Sequence, residues 1–298
     1  MPGQQLLALD VGQSGTALAV DGVRQEALLP ALRGAAPIAE QLADLVRHAL
    51  DLVDGGPVTV AIGSTGADSL TLAAEMRPRL PGTVATVLVA HDSVTSYLGC
   101  RGVEPGCVLA VGTGTVALAV GTAVARVDGW GSLVGDAGSG YWIGRAAIDA
   151  ALRAEDGRGR RTALRERVAE RFGGLDSLGV RLQADPDRVR RIAGCARDVA
   201  AMAESDDEAA RITDDAGAEL ARTVQAACRR AGPGSQAAVV TTGNALAAPG
   251  LSAALVRHLA RLVPDAHRTA PVGDGLDGAG LLPSVPDTFP LHALVSRA

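Results

Sequence analysis

The sequence predicts an α/β protein of two lobes, each a mixed β-sheet flanked by helices, with a cleft between the lobes. The chain has 298 residues, which is more than one hydrophobic core usually supports. A strand–turn–strand pattern occurs twice, as LLALDVGQSGTALAV and, about a hundred residues later, as VLAVGTGTVALAV. Strands and helices alternate after the first copy, an order typical of α/β sheets. We therefore expect an N-terminal lobe over residues 1–100 and a C-terminal lobe with a helical insertion over residues 101–298.

The N-terminal lobe opens with a hairpin and continues as helix, strand, helix and strand. Its predicted strands lie at 6–9, 16–20, 58–62 and 84–90. Apolar residues at helical spacing predict a helix after Pro37; they are Ile38, Leu42, Leu45, Ala49 and Leu52. A second helix is expected at 68–79, with Asp68 as its N-cap. The last strand delivers His91 and Asp92 at its carboxyl end.

The C-terminal lobe opens with the second hairpin and is rich in helices. The predicted helices lie at 140–155, 160–172, 186–204, 206–230 and 251–262, and a strand is predicted at 237–241. The glycine-rich tail PVGDGLDGAGLLP is expected to bring the chain back to the cleft, with the last helix returning to the first lobe.

Composition excludes several classes of function. All 28 basic residues are arginines, so a phosphate site that depends on lysine, of the P-loop or protein-kinase type, is excluded. A net charge of −5 argues against nucleic acid as a partner, because that needs a dense basic face.

The cysteines and the N-terminus favour a cytoplasmic protein. The four cysteines share no CxxC spacing, so we expect reduced thiols. The start MPGQQLLALD lacks a basic region, so no signal peptide is expected. Residues 108–125 are uncharged, but their glycines and threonines favour two strands over a membrane span, and no membrane partner is expected.

Three glycine turns are candidate nucleotide contacts. The first has Asp10, Gly12, Gln13, Ser14, Gly15 and Thr16; the second has Gly112, Thr113 and Gly114; the third has Gly243 and Asn244. Such turns direct backbone N–H groups at an anion, and Asp10 is a candidate Mg²⁺ ligand. The alternative is that all three are plain turns, with Asp and Ser capping the first.

Asp92 is the candidate general base, because ligands of α/β sheets bind at the carboxyl ends of strands. A carboxylate there can accept the proton of a hydroxyl group that attacks phosphorus. The alternative is a helix N-cap that accepts from the N–H of Val94 or Thr95, and the two roles are compatible.

The segment GWGSLVGDAGSGYW places two of the few aromatic residues in a glycine-rich loop. Trp faces can stack on sugar rings, Asp136 can accept from sugar hydroxyls, and the helix start near Gly140 favours an anion. The alternative is a flexible loop before an N-cap, with Tyr141 and Trp142 packed beneath it.

Together these loops resemble the sugar-kinase/Hsp70/actin superfamily, and most closely the BadF/BadG-type ATPase family, which includes N-acetylglucosamine kinases. The resemblance lies in the order of DVGQSGT, STGAD, HDS, GTG, GWG with GDAGSGYWIG, TGN and a late DGA, over about residues 6–280. It implies two ribonuclease-H-like lobes that close over ATP and a hexose.

The resemblance also implies roles for single residues. Asp92 matches the general base, and Asp10 matches the acid that organises Mg²⁺. Ser14 and Thr113 match phosphate-loop positions, and Gly243 lies in the nucleotide-side turn. The matches to sugar-contacting positions are Gly129, Trp130, Gly131 and Asp136. Two departures are the RGAAP segment, which lacks the sugar-contacting Asn of N-acetylglucosamine kinases, and Gln13, which replaces a usual Gly.

The implied activity is ATP-dependent phosphorylation of an amino sugar, most simply N-acetylglucosamine or glucosamine at the 6-hydroxyl. The partners expected are therefore the sugar, ATP and Mg²⁺, and a homodimer is left open. Two rival functions are an activator ATPase, which needs cysteines for an iron–sulfur cluster, and a non-catalytic sensor of sugar or nucleotide.

Overall fold

A computed structural model describes residues 4–12, 15–30, 32, 36–236 and 238–298. The strands are β1 (Gln5–Val11), β2 (Thr16–Val20), β3 (Val23–Leu29), β4 (Val58–Ser64), β5 (Val84–His91), β6 (Gly106–Val111), β7 (Thr115–Val120), β8 (Val124–Asp128), β9 (Val239–Thr242), β10 (Arg268–Thr269) and β11 (Ser296–Arg297). The helices are α1 (Ile38–Ala49), α2 (Leu72–Met76), α3 (Asp92–Arg101), α4 (Gly140–Glu155), α5 (Leu164–Phe172), α6 (Leu178–Ala184), α7 (Arg188–Gly194), α8 (Ala196–Met202), α9 (Asp207–Ala231), α10 (Pro249–Leu262) and α11 (Gly275–Leu281).

The strands form two sheets that share one strand order. The first runs β3-β2-β1-β4-β5-β11 and the second β8-β7-β6-β9-β10. In each, an antiparallel three-stranded meander is followed by two strands parallel to its first strand, and the first sheet ends with β11, which is antiparallel to β5. The hairpins also match in register, because Val11 pairs with Thr16 as Val111 pairs with Thr115. The predicted α/β fold of two mixed sheets is confirmed.

Each sheet packs helices on its outer face. The first sheet buries α1 and α2 in one core. The second sheet buries α4 to α10 in a larger core, built mostly of Ala, Val and Leu as the composition predicts. Burial of such apolar side chains contributes about 1.5–3 kcal/mol for each Val or Leu.

Helices α3 and α11 lie between the two sheets. Val94 and Leu98 of α3 share a core with Leu88 of the first sheet and Val108 of the second. Leu276 and other α11 residues pack on Ala8 and Ala19 of β1 and β2. Because α3 belongs to a core shared by both sheets, the lobe limits of 1–100 and 101–298 stay a prediction.

Several predicted helix limits are wrong. The helix expected at 68–79 begins at Leu72 and ends in a 3-10 turn, Arg77–Arg79, so Asp68 does not cap it. The helix expected at 186–204 is two helices, α7 and α8, that meet at Cys195. The structure adds α6, and it adds α11 in the glycine-rich tail, for which no helix limits were predicted.

The uncharged stretch at 108–125 forms β6, β7 and the start of β8, as predicted for strands. Within the described ranges, no helix is both long and apolar enough to cross a membrane.

Candidate functional site

The candidate site begins where the parallel strands β1, β4 and β5 end together. The register pairs Val11 with Ser64, and Ser64 with His91. The residues at and just after these ends therefore lie side by side at one edge of the first sheet. Asp10, Thr65 and Asp92 all come from this edge.

Asp92 is held by a contact at each of its carboxylate oxygens. The Thr65 hydroxyl donates to Oδ2 at 2.6 Å, and His91 Nδ1 lies 2.9 Å from Oδ1. Burial alone would raise the pKa of Asp92, but the His91 imidazole, the Thr65 hydroxyl and the Ser93 N–H outweigh it and lower this pKa. Asp92 is therefore an ionised carboxylate in a fixed orientation.

Asp92 does not occupy the N-cap position considered for it, which is held by His91. The backbone N–H of Ser93, in the first turn of α3, lies 3.1 Å from His91 Nδ1 and also lowers the pKa of Asp92. Asp92 is the first residue of the helix rather than its N-cap. Its carboxylate is about one-third exposed.

Asp10 lies in an acidic environment. Burial is the main cause that raises its pKa to about 6, and the charges of Asp92 and Asp274 raise it further, while Arg24 opposes them. A Cβ at Gly275 would lie 2.7 Å from Asp10 Oδ2, so the α11 backbone closely approaches this carboxylate. Asp274 is fixed by Arg24, whose Nη2 donates to it at 2.7 Å.

The first glycine turn is only partly described. The Gly12 N–H donates to the Gly15 carbonyl at 3.0 Å and closes the turn. Gln13 and Ser14, both predicted nucleotide contacts, lie outside the described residues. The Thr16 hydroxyl donates to the Pro30 carbonyl at 2.7 Å, so its proton is directed at the backbone and not at the cleft.

The second glycine turn is attached to the start of α4. The Gly140 N–H donates to the Gly112 carbonyl at 2.9 Å, and the Tyr141 N–H donates to the Thr113 carbonyl at 3.0 Å. The carbonyl side of the turn therefore faces α4, and its amide side faces away. The Trp142 N–H is taken by Ser139, so the expectation that the start of α4 binds an anion is wrong.

Asp136 lies beneath the second glycine turn. It is buried, and the Thr115 N–H donates to its Oδ1 at 3.3 Å. A Cβ at Gly114 would lie 2.8 Å from Asp136 Oδ2. The Asp136 N–H donates to Asp128 at 2.8 Å, which fixes a residue with a φ of 59°. The structure thus places Asp136 against the candidate phosphate loop.

The loop with Gly129, Trp130 and Gly131 is open to solvent. Trp130 is 74% exposed, and the two glycines have φ values of 73° and 86°, which other residues rarely adopt. Tyr141 and Trp142 are partly buried against the second core, as the alternative interpretation expects. The aromatic face of Trp130 is thus available to a ligand.

The third glycine turn lies beside the second. Thr242, at the end of β9, pairs with Ala110 of β6. Gly243, with a φ of 102°, lies so close to Val111 that a Cβ would overlap the Val111 backbone, and Asn244 is exposed. Gly112 and Gly243 therefore follow adjacent strands of one sheet.

A small apolar cavity next to this turn was missed by the sequence reasoning. It has a volume of about 30 Å³, and its walls include Ala196, Val199, Ala245, Ala248 and Leu251. The only signal in the sequence is the run of small apolar residues in NALAAPGL. Because residues of α8 and α10 line this cavity, both helices lie on the candidate nucleotide side.

One curated relative matches part of the chain. It is the N-acetylmuramic acid/N-acetylglucosamine kinase of Clostridium acetobutylicum, 29% identical over 175 residues. The match covers 53% of this chain and 57% of that protein, so the chain spans a little over half the length of this relative.

Solved structures match nearly the whole fold. A candidate N-acetylglucosamine kinase from Chromobacterium violaceum has a TM-score of 0.71 and 25% identity, covering 93% of this chain and 98% of that chain. A second such candidate, from Porphyromonas gingivalis, has a TM-score of 0.63 and 15% identity, covering 93% and 97%. The ROK hexokinase of Thermus thermophilus has a TM-score of 0.56 and 18% identity, covering 93% and 98%. The last two likenesses show the fold alone, which is that of the actin-like ATPases with two ribonuclease-H-like lobes.

The family model of the BadF/BadG/BcrA/BcrD ATPases matches residues 47–281, which is most of the chain. The matched range includes Thr65, Asp92 and the second and third glycine turns. The predicted resemblance is confirmed, and the chain belongs to the BadF/BadG/BcrA/BcrD ATPase family.

Proposed function

We propose that this protein transfers the γ-phosphoryl group of ATP to an amino sugar, most simply to the 6-hydroxyl of N-acetylglucosamine or glucosamine. The observation that carries the proposal is Asp92, a partly exposed carboxylate whose two oxygens are oriented by Thr65 and His91. The names of the relatives from Clostridium acetobutylicum and Chromobacterium violaceum support the amino sugar.

Asp92 would act as the general base. Its lowered pKa keeps it ionised at neutral pH, so it can accept a hydrogen bond from the sugar hydroxyl. As the hydroxyl oxygen bonds to the γ-phosphorus and the bond to ADP breaks, the hydroxyl proton passes to Asp92. Thr65 and His91 would maintain the direction of the accepting lone pair.

The glycine turns would hold the nucleotide. The first turn would contribute the Gly15 amide and the second turn the amides of Thr113 and Gly114, since the N–H groups of Gly12 and Gly112 donate to carbonyls within their own turns. Gly243 and Asn244 would contact the nucleoside. The apolar cavity beside them has a volume of only about 30 Å³, so it would have to widen to take the adenine ring.

The residues around Asp10 fit Mg²⁺. The carboxylates of Asp92 and Asp274 lie close enough to Asp10 to raise its pKa, and Mg²⁺ commonly takes one or two carboxylates and keeps several waters. Among the residues that the structure describes, no three His, Cys, Asp or Glu side chains form a direct metal site. We therefore propose that Asp10 holds the ion through water. When bound, it would neutralise charge on the ATP phosphates.

The sugar would lie on the open loop of the second lobe. Gly129 and Gly131 keep the backbone accessible, and the exposed Trp130 face would stack on the apolar side of a sugar ring. Asp136 was predicted as a sugar contact, but its place beneath Gly114 favours support of the phosphate loop.

An ADP-release assay tests this proposal. Purified protein with ATP and Mg²⁺ is supplied in turn with glucosamine, N-acetylglucosamine, N-acetylmannosamine, N-acetylmuramic acid or glucose. We expect release with at least one amino sugar, and phosphorus-coupled proton NMR of the product identifies the hydroxyl. No response to any hexose would contradict a sugar kinase.

The structure favours neither rival function. An activator ATPase needs accessible cysteines for its cluster, whereas Cys100, Cys107, Cys195 and Cys228 are all buried. A sensor would bind sugar without turnover, and calorimetry beside the ADP assay distinguishes it from an enzyme.

A further inference from the structure

An ion pair joins the two lobes outside their shared core. Arg126 Nη1 lies 2.7 Å from Asp68 Oδ1. Arg126 is on β8, the edge strand of the second sheet, and Asp68 is in the loop that follows β4 of the first sheet. Neither residue is used by the proposed reaction.

The loop with Asp68 also holds the candidate base. Thr65, three residues earlier, donates its hydroxyl to Asp92. The Thr65 N–H donates to the Val11 carbonyl at 3.1 Å, and the Ala67 N–H donates to the Ser64 carbonyl at 3.2 Å. The chain between Thr65 and Asp68 is therefore short and tied down, so a displacement of Asp68 is transmitted to Thr65.

On the other lobe, Arg126 belongs to the strand that supports the sugar-side loop. Asp128, two residues later, accepts the N–H groups of Asp136 and Ala137 at 2.8 and 2.9 Å. The Arg126 carbonyl also accepts from Arg230 at 3.4 Å, which ties this strand to α9. The ion pair thus connects two supported segments and not two loose side chains.

The Arg126–Asp68 pair also lies outside the space between the two sheets. Helices α3 and α11 fill that space, and Arg126 is on the strand furthest from β6 on its side of the second sheet. A rotation of one lobe against the other changes distances most at such a peripheral point. The Arg126–Asp68 contact is therefore sensitive to the opening of the cleft.

We propose that Arg126 is a positioning residue that couples closure of the lobes to the orientation of Asp92, acting through Asp68 and Thr65. This inference rests on the proposed kinase function. In the closed molecule the pair holds the loop at residues 65–71 in place, and the Thr65 hydroxyl stays on Asp92. When the cleft opens the pair breaks, the loop is released and the base loses its fixed direction.

The test is a double-mutant cycle on turnover. The variants are Arg126→Ala, Asp68→Ala, both together, and the charge exchange Arg126→Asp with Asp68→Arg. Arg153→Ala is the matched control, because Arg153 forms a similarly exposed pair with Asp149 at 2.6 Å within α4. All are assayed for kcat, sugar KM and Tm.

We expect each single alanine variant to lower kcat by about 2- to 5-fold, because an exposed ion pair can bias the closed arrangement by no more than this. The double variant should be no worse than either single one, and the charge exchange should recover a large part of the loss. Tm should change little in every case, because exposed ion pairs add little to stability. The Arg153→Ala control should keep wild-type kcat.

Hydrogen exchange gives a readout that does not depend on turnover. Arg126→Ala should speed exchange of the amides at residues 66–70 in the free protein, and Arg153→Ala should not. Wild-type kcat in Arg126→Ala, or unchanged exchange in this loop, would overturn the inference while leaving the kinase function intact. If the wild-type protein phosphorylates no sugar, the kinase proposal fails, and the exchange measurement alone decides whether Arg126 holds the loop.

Discussion

At the scale of single residues, the orientation of Asp92 depends on neighbours from two strands. Thr65 follows β4 and His91 ends β5, and each contacts a different carboxylate oxygen. A carboxylate held in this way loses little orientational freedom when a hydroxyl group approaches. The two contacts therefore have separable effects that substitution can measure.

Removing the charge of Asp92 tests the base directly. Asp92→Asn keeps the size and the Thr65 contact but cannot take a proton, so we expect kcat to fall roughly 10²- to 10⁴-fold. Circular dichroism and Tm should match the wild type. Wild-type turnover in this variant would show that Asp92 is not the base.

Removing the Thr65 hydroxyl tests the orientation of the base. Thr65→Val should lower kcat and raise the pKa of Asp92, because this hydroxyl bond lowers that pKa in the native protein. The carboxylate is then protonated at a higher pH, so the acidic limb of the kcat/KM profile should move upward. Thr65→Ser retains the hydroxyl and should keep the wild-type profile; an identical profile in both variants would contradict the assignment.

At the scale of elements, α3 and α11 are packed backbone to backbone through glycines. A Cβ at Gly99 would overlap the Asp274 carbonyl, and a Cβ at Gly278 would overlap the Thr95 carbonyl. This close approach positions the start of α11 against Asp10. Glycine at these positions therefore allows the two helices to pack closely and also places the start of α11 beside Asp10.

Alanine substitution at two glycines of α11 should have opposite effects on stability. Gly278→Ala overpacks the contact with α3, and we expect it to lower the free energy of unfolding by about 1–3 kcal/mol or more. Gly280→Ala, in the same helix with open space at its Cβ, should be neutral or stabilise by up to about 1 kcal/mol through helix propensity. Urea denaturation measures both, and equal effects would contradict the packing.

The two glycines also explain why α11 was not predicted. Glycine-rich runs usually indicate loops, and only the partner helix shows that glycine is needed here for close packing. The capping box between Asp274 and Asp277 is a local signal that could have revealed the start of the helix. Helix α4 was predicted at its observed limits, because its apolar periodicity is local.

The candidate site, like the helices, was predictable only where its signals in the sequence are local. The glycine turns and Asp92 follow apolar strands in the sequence, so their places at the ends of strands could be inferred from local pattern alone. Burial of Asp136 and the Arg126–Asp68 pair depend on residues far apart in the chain. Such contacts are fixed by tertiary packing and leave no mark in a single sequence.

At the scale of the whole molecule, the two sheets share one architecture but differ in charge. The register that aligns Val11 with Val111 also aligns Asp10 with Ala110. Only the first sheet therefore brings an acid to the end of its first strand. This asymmetry concentrates negative charge on one side of the cleft, beside Asp92 and Asp274.

That concentration of charge should destabilise the protein when no cation is present. In EDTA, we expect Asp10→Asn to have a higher Tm than the wild type, because one of three crowded carboxylates is neutralised. Mg²⁺ with ADP should raise the wild-type Tm by more than that of Asp10→Asn, since binding to the native state stabilises it. Asp44→Asn removes an exposed carboxylate on α1, remote from this cluster, and is the control. Equal gains in wild type and Asp10→Asn would contradict a role for Asp10 in holding the ion.

The pairing of β11 with β5 affects how the chain folds as it leaves the ribosome. Ser296 pairs with Val89, whereas the last strand of the second sheet ends at Thr269. Chains generally fold in order of synthesis, so every strand of the second sheet emerges before the first sheet can be completed. Until then the edge of β5 is unpaired, and an exposed strand edge invites pairing with other chains. Strand β5, which leads to Asp92, therefore gains its second neighbour, β11, only after the other strands of both sheets have been synthesised.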